Sequence, residues 1–175
     1  VNPHDVMWVN TDKPGEPPVQ AVEAKLNIAY PPNDSFYRQE WNDIPLQKTW
    51  QQSLDTPDRV PAHRIYKGAN AILTGLIPQE EWRMRLRQNY YFNAIRDVDQ
   101  QIVQLLEQLD RLGLTDNTIV IFTSDHGDLL ASHGGLQGKG TTTYRQQNHV
   151  PMLIVHPEIP GGQRCRELTS HLDIV

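Results

Sequence analysis

Hydrophobic residues recur every three or four positions through the middle of the chain, and this spacing predicts a long amphipathic helix over Gln79–Leu112. Gly113 follows directly and predicts where the helix ends, because glycine readily adopts the left-handed conformation that closes many helices. The apolar positions are Tyr91, Ile95, Val98, Ile102, Leu105 and Leu109.

Two compact apolar runs after this helix predict β-strands. Thr118–Thr123 and Val150–His156 are short, rich in β-branched residues and apolar throughout, which is typical of strands covered on both faces. Arg166–Ser170 is a third candidate. A helix followed by buried strands predicts a layered α/β fold. Because only one long helix is predicted, we expect an apolar sheet face to remain exposed in this chain by itself.

The first part of the chain has a different composition. Residues 1–78 contain most of the 13 prolines, many amide and acidic residues, and only short apolar runs. This composition predicts irregular structure packed on a core formed elsewhere. We therefore divide one domain of 175 residues into an irregular part, 1–78, and a patterned part, 79–175.

Charge and composition narrow the possible functions. Sixteen basic and 21 acidic residues give a net charge of −5, which argues against a nucleic-acid-binding protein. A few local cations could still hold an anionic substrate. Cys165 is the single cysteine, so neither a disulfide framework nor a multi-cysteine metal site is expected. No apolar run is long enough to predict a transmembrane helix.

The strongest candidate chemistry lies directly after the first predicted strand, at Ser124–Asp128. Ligands in open α/β sheets bind at the carboxyl ends of strands. Asp125 and His126 are residue types that ligate divalent metals, and Gly127 permits a turn sharp enough to bring both side chains to one cation. The alternative from the residues alone is a solvated turn.

A lysine between two glycines lies further along the same loop. Lys139, flanked by Gly138 and Gly140, can bring a point charge close to an anion, because the glycines keep the backbone out of the way. An ordinary exposed loop lysine is the alternative.

Taken together, these segments resemble the C-terminal half of the catalytic domain of sulfatases, within the alkaline-phosphatase superfamily. The match covers about half of the chain in the family's order, and the short Asn2-Pro3-His4 segment resembles the family's substrate pocket. The resemblance implies an alkaline-phosphatase-like domain with a mostly parallel sheet and flanking helices. The matching segments are Tyr91–Asp99, Gly113–Thr118, Ser124–Asp128, Lys139–Gly140, Val150–Pro151 and Ser170–Val175.

The resemblance also implies residue roles. Asp125 and His126 would ligate one divalent metal ion, with calcium as the first expectation and manganese, magnesium or zinc as alternatives. Lys139 would bind a sulfate oxygen, and His4 would contact the substrate or assist the leaving group. The implied substrate is a sulfate ester of a small molecule or a saccharide.

Two further parts of such a site are expected upstream of Val1. These are the remaining metal-binding aspartates and a formylglycine nucleophile, which the family makes from Cys or Ser in a C-x-P-x-R or S-x-P-x-R setting. Cys165 has no such setting. The chain is therefore expected to be part of a longer protein and, alone, to be inactive and to bind metal weakly. Localisation stays open, because a targeting segment would lie outside this chain. Oligomeric state stays open as well.

Other functions and residues remain as alternatives. A phosphonate monoester or phosphodiester hydrolase of the same superfamily is the second hypothesis, and a non-catalytic binding module is the third. His133 and His149 are secondary site candidates because they lie near the predicted loop and strand. The remaining histidines are expected to be surface or structural residues; these are His63, His156 and His171.

Overall fold

Four helices and two short strands form the regular structure of the described residues, which are 36–74, 79–140 and 142–174 of this computed structural model. Two of the helices are single turns, and one of these, Ser132–Gly135, has left-handed backbone at His133 and Gly134. In chain order the elements are α1 (Pro61–Thr74), α2 (Glu81–Arg111), β1 (Val120–Thr123), α3 (Ser132–Gly135), α4 (Arg145–Asn148) and β2 (Met152–Val155). Three 3₁₀ turns add to these: Phe36–Arg38, Thr115–Asn117 and His171–Ile174.

The long predicted helix is confirmed as α2, and it ends where the glycine predicts. Gly113 has φ 66°, in the left-handed region. Its backbone N–H donates to the carbonyl oxygen of Asp110 at 2.9 Å, and the N–H of Leu114 donates to that of Leu109 at 3.1 Å. This pair of hydrogen bonds satisfies carbonyl groups that the end of a helix otherwise leaves without partners.

Helix α1 lies in the part of the chain for which the sequence predicts irregular structure, so that prediction is wrong for Pro61–Thr74. Pro61 occupies the first helical position, where a missing N–H costs nothing and the fixed φ of proline suits the helix. His63 is buried, and Tyr66 and Lys67 are half-buried, so one side of the helix contacts the rest of the chain. Pro61, one of the prolines for which irregular structure is predicted, is the first residue of this helix.

The two main strand predictions are confirmed, but the strands pair antiparallel. Val120 lies opposite Val155, and Thr123 lies opposite Met152. The mostly parallel arrangement expected for the sheet is therefore not what the described residues form. Parallel neighbours need a crossover connection, usually a long helix, whereas the segment between β1 and β2 contains only the single turns α3 and α4.

The third strand prediction, Arg166–Ser170, is wrong. This segment is irregular and exposed, and the side chain of Leu168 is fully exposed. The run contains a single large apolar residue between charged and hydroxyl side chains, so it offers little to a sheet face.

The core of the described residues lies between the first half of α2 and the loop that follows β1. Met84 and Ala94 contribute from the helix, while Leu129, Ala131 and Leu136 contribute from the loop. Arg87, Gln88 and Asn93 are buried on the helix beside them. The loop that carries the candidate site is thus anchored by the apolar side chains within it.

Asn93 joins α2 to the segment that precedes α1. Its side-chain nitrogen donates to the carbonyl oxygens of Tyr37 and Gln39, at 2.9 and 3.0 Å. Its side-chain oxygen accepts from Trp41 Nε1 and Arg96 Nη1, at 3.3 and 2.9 Å. Since an amide side chain has two donor hydrogens and an oxygen with two lone pairs, all of its hydrogen-bonding capacity is used.

Much of the predicted apolar surface is exposed within this chain. On α2, Val98 and Leu105 are 54% and 69% exposed. On the strands, Ile121, Ile154 and Val155 are exposed as well. The expectation of an exposed apolar sheet face is confirmed for the described residues, whereas the second half of the helix's apolar stripe is not buried against them. No helix in the described ranges has the length and apolarity needed to cross a bilayer.

Candidate functional site

The segment after β1 folds into a tight turn that is held by its own side chains. Ser124 Oγ donates to the carbonyl oxygen of His126 at 2.8 Å, and Asp125 Oδ1 accepts from the backbone N–H of His126 at 2.9 Å. The N–H of Gly127 donates to the carbonyl oxygen of Gln147 at 2.7 Å. A Cβ atom on Gly127 would lie 2.0 Å from the carbonyl oxygen of Gln146, so only glycine fits where the turn meets α4.

The side chains of Asp125 and His126 approach each other in this turn. Asp125 Oδ2 lies 3.1 Å from His126 Nε2. His126 Nδ1 lies 2.9 Å from the carbonyl oxygen of Gly127, which can only accept, so we assign the ring proton to Nδ1 and a lone pair to Nε2. Ligating histidines commonly donate their other ring N–H in this way, which fixes the ring and its tautomer.

This pair of donor atoms fits one divalent cation. Two ligand atoms that each lie about 2.1 Å from a metal are separated by roughly 3.0 Å in octahedral and 3.4 Å in tetrahedral geometry. The 3.1 Å between Asp125 Oδ2 and His126 Nε2 lies within that interval. No group of three or more His, Cys, Asp or Glu side chains that could hold a metal occurs in the described ranges. At this turn the described residues therefore offer two adjacent atoms that could ligate a metal, the oxygen of Asp125 and the nitrogen of His126.

Lys139 reaches the same place from the far end of the loop. Its ammonium contacts His126 Nε2, and the side chain is exposed. The structure thus brings together Asp125, His126 and Lys139, three of the four predicted site residues. The fourth, His4, lies outside the described residues. Because the ammonium is at the lone pair of Nε2, a metal bound to that nitrogen would require the flexible lysine side chain to turn aside toward a metal-bound anion.

Local charge keeps Asp125 ionised. The pKa of its carboxyl group lies below the usual value, first because the backbone N–H of His126 donates to it, and also because the positive charge of Lys139 is nearby. A carboxylate must be deprotonated to ligate a metal. Asp125 is therefore ready to act as a ligand across the neutral pH range.

A buried arginine braces the loop from α2. Arg87 is 4% exposed; its Nη1 donates to Gln137 Oε1, and its Nη2 lies 4.0 Å from Asp128 Oδ1. Burial lowers the pKa of Arg87, and the negative charge of Asp128 opposes that shift. Asp128 also accepts from the N–H of Leu130 at 2.6 Å. One guanidinium therefore joins the segment after the metal-ligand candidates to the segment before Lys139.

The sequence alone predicts no role for Arg87 or Asp128. The burial of Arg87 could have been predicted from its position. It lies four residues before Tyr91 and therefore on the apolar stripe of the helix. Asp128 stands in the quoted Ser124–Asp128 segment, but nothing local reveals a partner 41 residues earlier in the chain.

The secondary histidine candidates take other positions. His133 stacks on Tyr144, with ring centroids 3.5 Å apart, and its Nε2 lies 3.2 Å from Gln146 Oε1. His63 is buried beside the same tyrosine, and His149 is exposed. His171 Nε2 lies 2.8 Å from the carbonyl oxygen of Ser124, so it contacts the turn through its backbone. None of these four contacts Asp125 Oδ2 or His126 Nε2 in the part of the chain that the structure describes.

Comparison with known proteins gives a consistent result. The family model described as sulfatase matches residues 23–175. Arylsulfatase K of Xenopus laevis is 32% identical over 97 residues, which cover 55% of this chain and 18% of that protein. The ulvan-active sulfatase of Formosa agariphila is 35% identical over 96 residues, or 54% of this chain and 19% of that protein.

A third relative carries a different name. The low-salt glycan biosynthesis sulfotransferase Agl7 of Haloferax volcanii is 34% identical over 92 residues, which cover 51% of this chain and 22% of that protein. The chain spans about a fifth of the length of these three relatives.

Proposed function

This chain belongs to the sulfatase family, and from that membership we propose that it supplies the metal-binding turn and the anion-binding lysine of a sulfuric ester hydrolase. The observation that carries the proposal is the convergence of Asp125, His126 and Lys139 at the end of β1. The overall reaction breaks the bond between sulfur and the ester oxygen, and water provides the oxygen and protons that yield an alcohol and hydrogen sulfate.

In this proposal Asp125 Oδ2 and His126 Nε2 would hold one divalent cation, together with ligands from elsewhere in the protein. Such a cation would supply neutralisation of charge on the anion and would favour ionisation of the attacking oxygen. Calcium fits the carboxylate, while the imidazole nitrogen is better suited to manganese or zinc, and magnesium is a further candidate. The attacking group would be the formylglycine expected outside this chain.

Lys139 would bind the sulfate group. Its ammonium has three donor hydrogens and a full charge, and the contact with His126 places it beside the proposed metal ligands. In the reaction it would stabilise negative charge as it develops on the sulfuryl oxygens and on the leaving oxygen. His4 would protonate that leaving oxygen, a role that rests on the resemblance of Asn2-Pro3-His4 alone.

The proposed substrate is a sulfated saccharide. Several matched relatives have names that refer to glycans or sugars, such as ulvan-active sulfatase and N-acetylglucosamine-6-O-sulfatase. We also propose that the complete domain contains the mostly parallel sheet of the alkaline-phosphatase-like fold, to which β1 and β2 add an antiparallel pair. Sulfuryl transfer to an acceptor other than water is the second candidate function, because one relative is named a sulfotransferase.

The test uses the full-length protein that contains this chain. We expect it to hydrolyse 4-nitrophenyl sulfate or a sulfated disaccharide, and to contain about one equivalent of divalent metal by mass spectrometry. Asp125→Asn should lower metal affinity at least about tenfold, since altering even supporting residues of metal sites has effects of that size. Lys139→Ala should keep the metal but lower kcat about 10²- to 10³-fold, as expected for loss of a group that stabilises developing charge. Asp116→Asn, at an exposed position away from the turn, is the matched control.

Three outcomes would contradict the proposal. Unchanged metal content and turnover in Asp125→Asn would remove the metal role of the turn. Faster cleavage of bis(4-nitrophenyl) phosphate or of a phosphonate monoester than of any sulfate ester would favour the phosphorus hydrolases instead. Sulfation of an added sugar acceptor without release of free sulfate would favour the transferase.

A further inference from the structure

Helix α1 presents two consecutive side chains to the loop that carries Lys139. The hydroxyl of Tyr66 lies 2.8 Å from the carbonyl oxygen of Gln137 and also contacts the carbonyl oxygen of Lys139 itself. Lys67 Nζ donates to the carbonyl oxygen of Gly134 at 2.8 Å. Three carbonyl groups of the loop therefore face one turn of a helix that is more than 60 residues away in sequence, and two of them share the single hydroxyl hydrogen of Tyr66.

The ring of Tyr66 packs against the same segment. A Cβ atom on Gly140 would lie 2.4 Å from Tyr66 Cε2, so the ring occupies the space that a side chain at position 140 would need. The backbone N–H of Gly140 donates to Gln147 Oε1 at 3.2 Å. The backbone around Lys139 is thus fixed by contacts from α1 and from α4 together.

These contacts matter because the ammonium of Lys139 touches His126 from the tip of a long, flexible side chain. Lys139 is exposed, and a four-carbon side chain that is free in solvent samples many rotamers. The position of its Cα atom sets the range that the ammonium can reach, and small displacements of a reacting or binding group cost much of its effect.

We propose that Tyr66 is a positioning residue that acts through Lys139, by fixing the main chain of residues 137–140 so that the ammonium reaches the bound sulfate group. This inference rests on the anion-binding role of Lys139 in the proposed function. It gives helix α1, in the segment whose role the sequence leaves open, an indirect part in binding the anion, through the position of Lys139.

The first test compares two tyrosine-to-phenylalanine variants of the full-length protein. Tyr66→Phe removes the hydroxyl and keeps the ring that packs on Gly140. Tyr37→Phe is the matched control, because that hydroxyl donates to Asp97 Oδ2 at 2.6 Å and not to the loop. The probe is inorganic sulfate, and its Kd is measured by isothermal titration calorimetry. We expect Tyr66→Phe to weaken sulfate binding about three- to tenfold, in line with the loss of one hydrogen bond, and Tyr37→Phe to leave the Kd unchanged.

The second test is a double-mutant cycle with Lys139→Ala. If Tyr66 acts through Lys139, adding Tyr66→Phe to Lys139→Ala should change the Kd for sulfate no further. If Tyr66→Phe raises the Kd for sulfate by the same factor in the wild type and in Lys139→Ala, the inference is overturned. A purely structural role would reduce the fraction of folded protein and hence the binding stoichiometry, while the Kd stayed the same, and that result would also overturn it.

The outcomes separate this inference from the proposed function. If Lys139→Ala binds sulfate as tightly as the wild type, the anion-binding role of Lys139 is wrong and the inference is overturned with it. If Lys139→Ala binds sulfate weakly but Tyr66→Phe behaves like Tyr37→Phe, the proposed function stands and the positioning role of Tyr66 alone is overturned.

Discussion

Asn93 and Arg87 are polar side chains that lie inside the core, and each connects segments that are distant in the chain. Asn93 is fully buried and joins α2 to residues 37–41, while Arg87 joins α2 to Asp128 and Gln137. A buried polar group that keeps its partners fixes one arrangement of the chain, because any other arrangement leaves it without hydrogen bonds at a cost of about 1–3 kcal/mol. At the scale of residues, the loop with the candidate site is thus defined by polar contacts as much as by apolar packing.

His133 gives the loop a pH-dependent stability. Its pKa lies below the usual value, first because of burial and then because Arg59 and His63 are nearby, although the hydrogen bond with Gln146 opposes the shift. As the pH falls below about 6.5, the unfolded chain takes up the proton before the folded one, so stability is lost as the pH falls toward the lower folded pKa.

We therefore expect amide hydrogen-exchange protection in residues 132–136 to fall between pH 7.5 and pH 5. His133→Asn should reduce that fall, since asparagine does not titrate there and tolerates the left-handed φ of 53° at this position. The exposed His149→Asn is the control. An equal loss of protection in the wild type and in both variants would show that another group titrates.

At the scale of elements, two glycines with different surroundings separate backbone strain from packing. Among the described residues beyond its chain neighbours and its own helix backbone, a Cβ atom at either Gly68 or Gly113 would meet no atom within 4 Å. Gly68 lies inside α1, where alanine should stabilise the helix by about 0.5–1 kcal/mol. Gly113 has φ 66°, where alanine should cost about 1–2 kcal/mol. Urea denaturation followed by circular dichroism should show midpoints that move in opposite directions, and a shift of the same sign in both variants would contradict this account.

Element boundaries near local signals were predicted well from the sequence. The helix predicted over Gln79–Leu112 is Glu81–Arg111, because its apolar period and Gly113 are both local features. The turn that brings Asp125 and His126 together also followed from their order after a strand. The approach of Lys139 was expected from its glycine neighbours and from the resemblance to sulfatases. The roles of all three residues remain predictions.

What the sequence did not reveal depends on distant contacts. The contribution of Tyr66 to the loop involves partners 71 and 73 residues away, and no local pattern encodes such a pairing. The antiparallel pairing of β1 with β2 likewise depends on how the connection between them folds. Helix α1 was missed because the polar and proline-rich composition of its surroundings outweighed the meaning of Pro61 at a helix start.

At the scale of the whole molecule, the exposed apolar surface predicts how the 175-residue chain behaves when expressed alone. Leu105 on α2 and Ile154 and Val155 on β2 are each more than half exposed. Large exposed apolar side chains promote association when they cluster on a surface. We expect sedimentation velocity to show oligomers that increase with concentration. Leu105→Lys should raise the monomer fraction, whereas Gln104→Lys, which adds the same charge at an exposed polar neighbour, should raise it less. A wild-type chain that stays monomeric at about 100 µM would contradict this expectation.

The hydrogen bonds that fix the main chain of the Lys139 loop affect how its side chains can change in evolution. Tyr66 and Lys67 bind carbonyl groups of the loop, and the backbone N–H of Gly134 donates to the carbonyl oxygen of Thr49. These hydrogen bonds involve backbone groups of the loop, which are the same for every residue type except that proline lacks the N–H. Most substitutions in the loop therefore leave the hydrogen bonds intact. Inherited changes can therefore replace one loop side chain after another while the anchor of the lysine persists. Gly140 is an exception, because any side chain there collides with Tyr66.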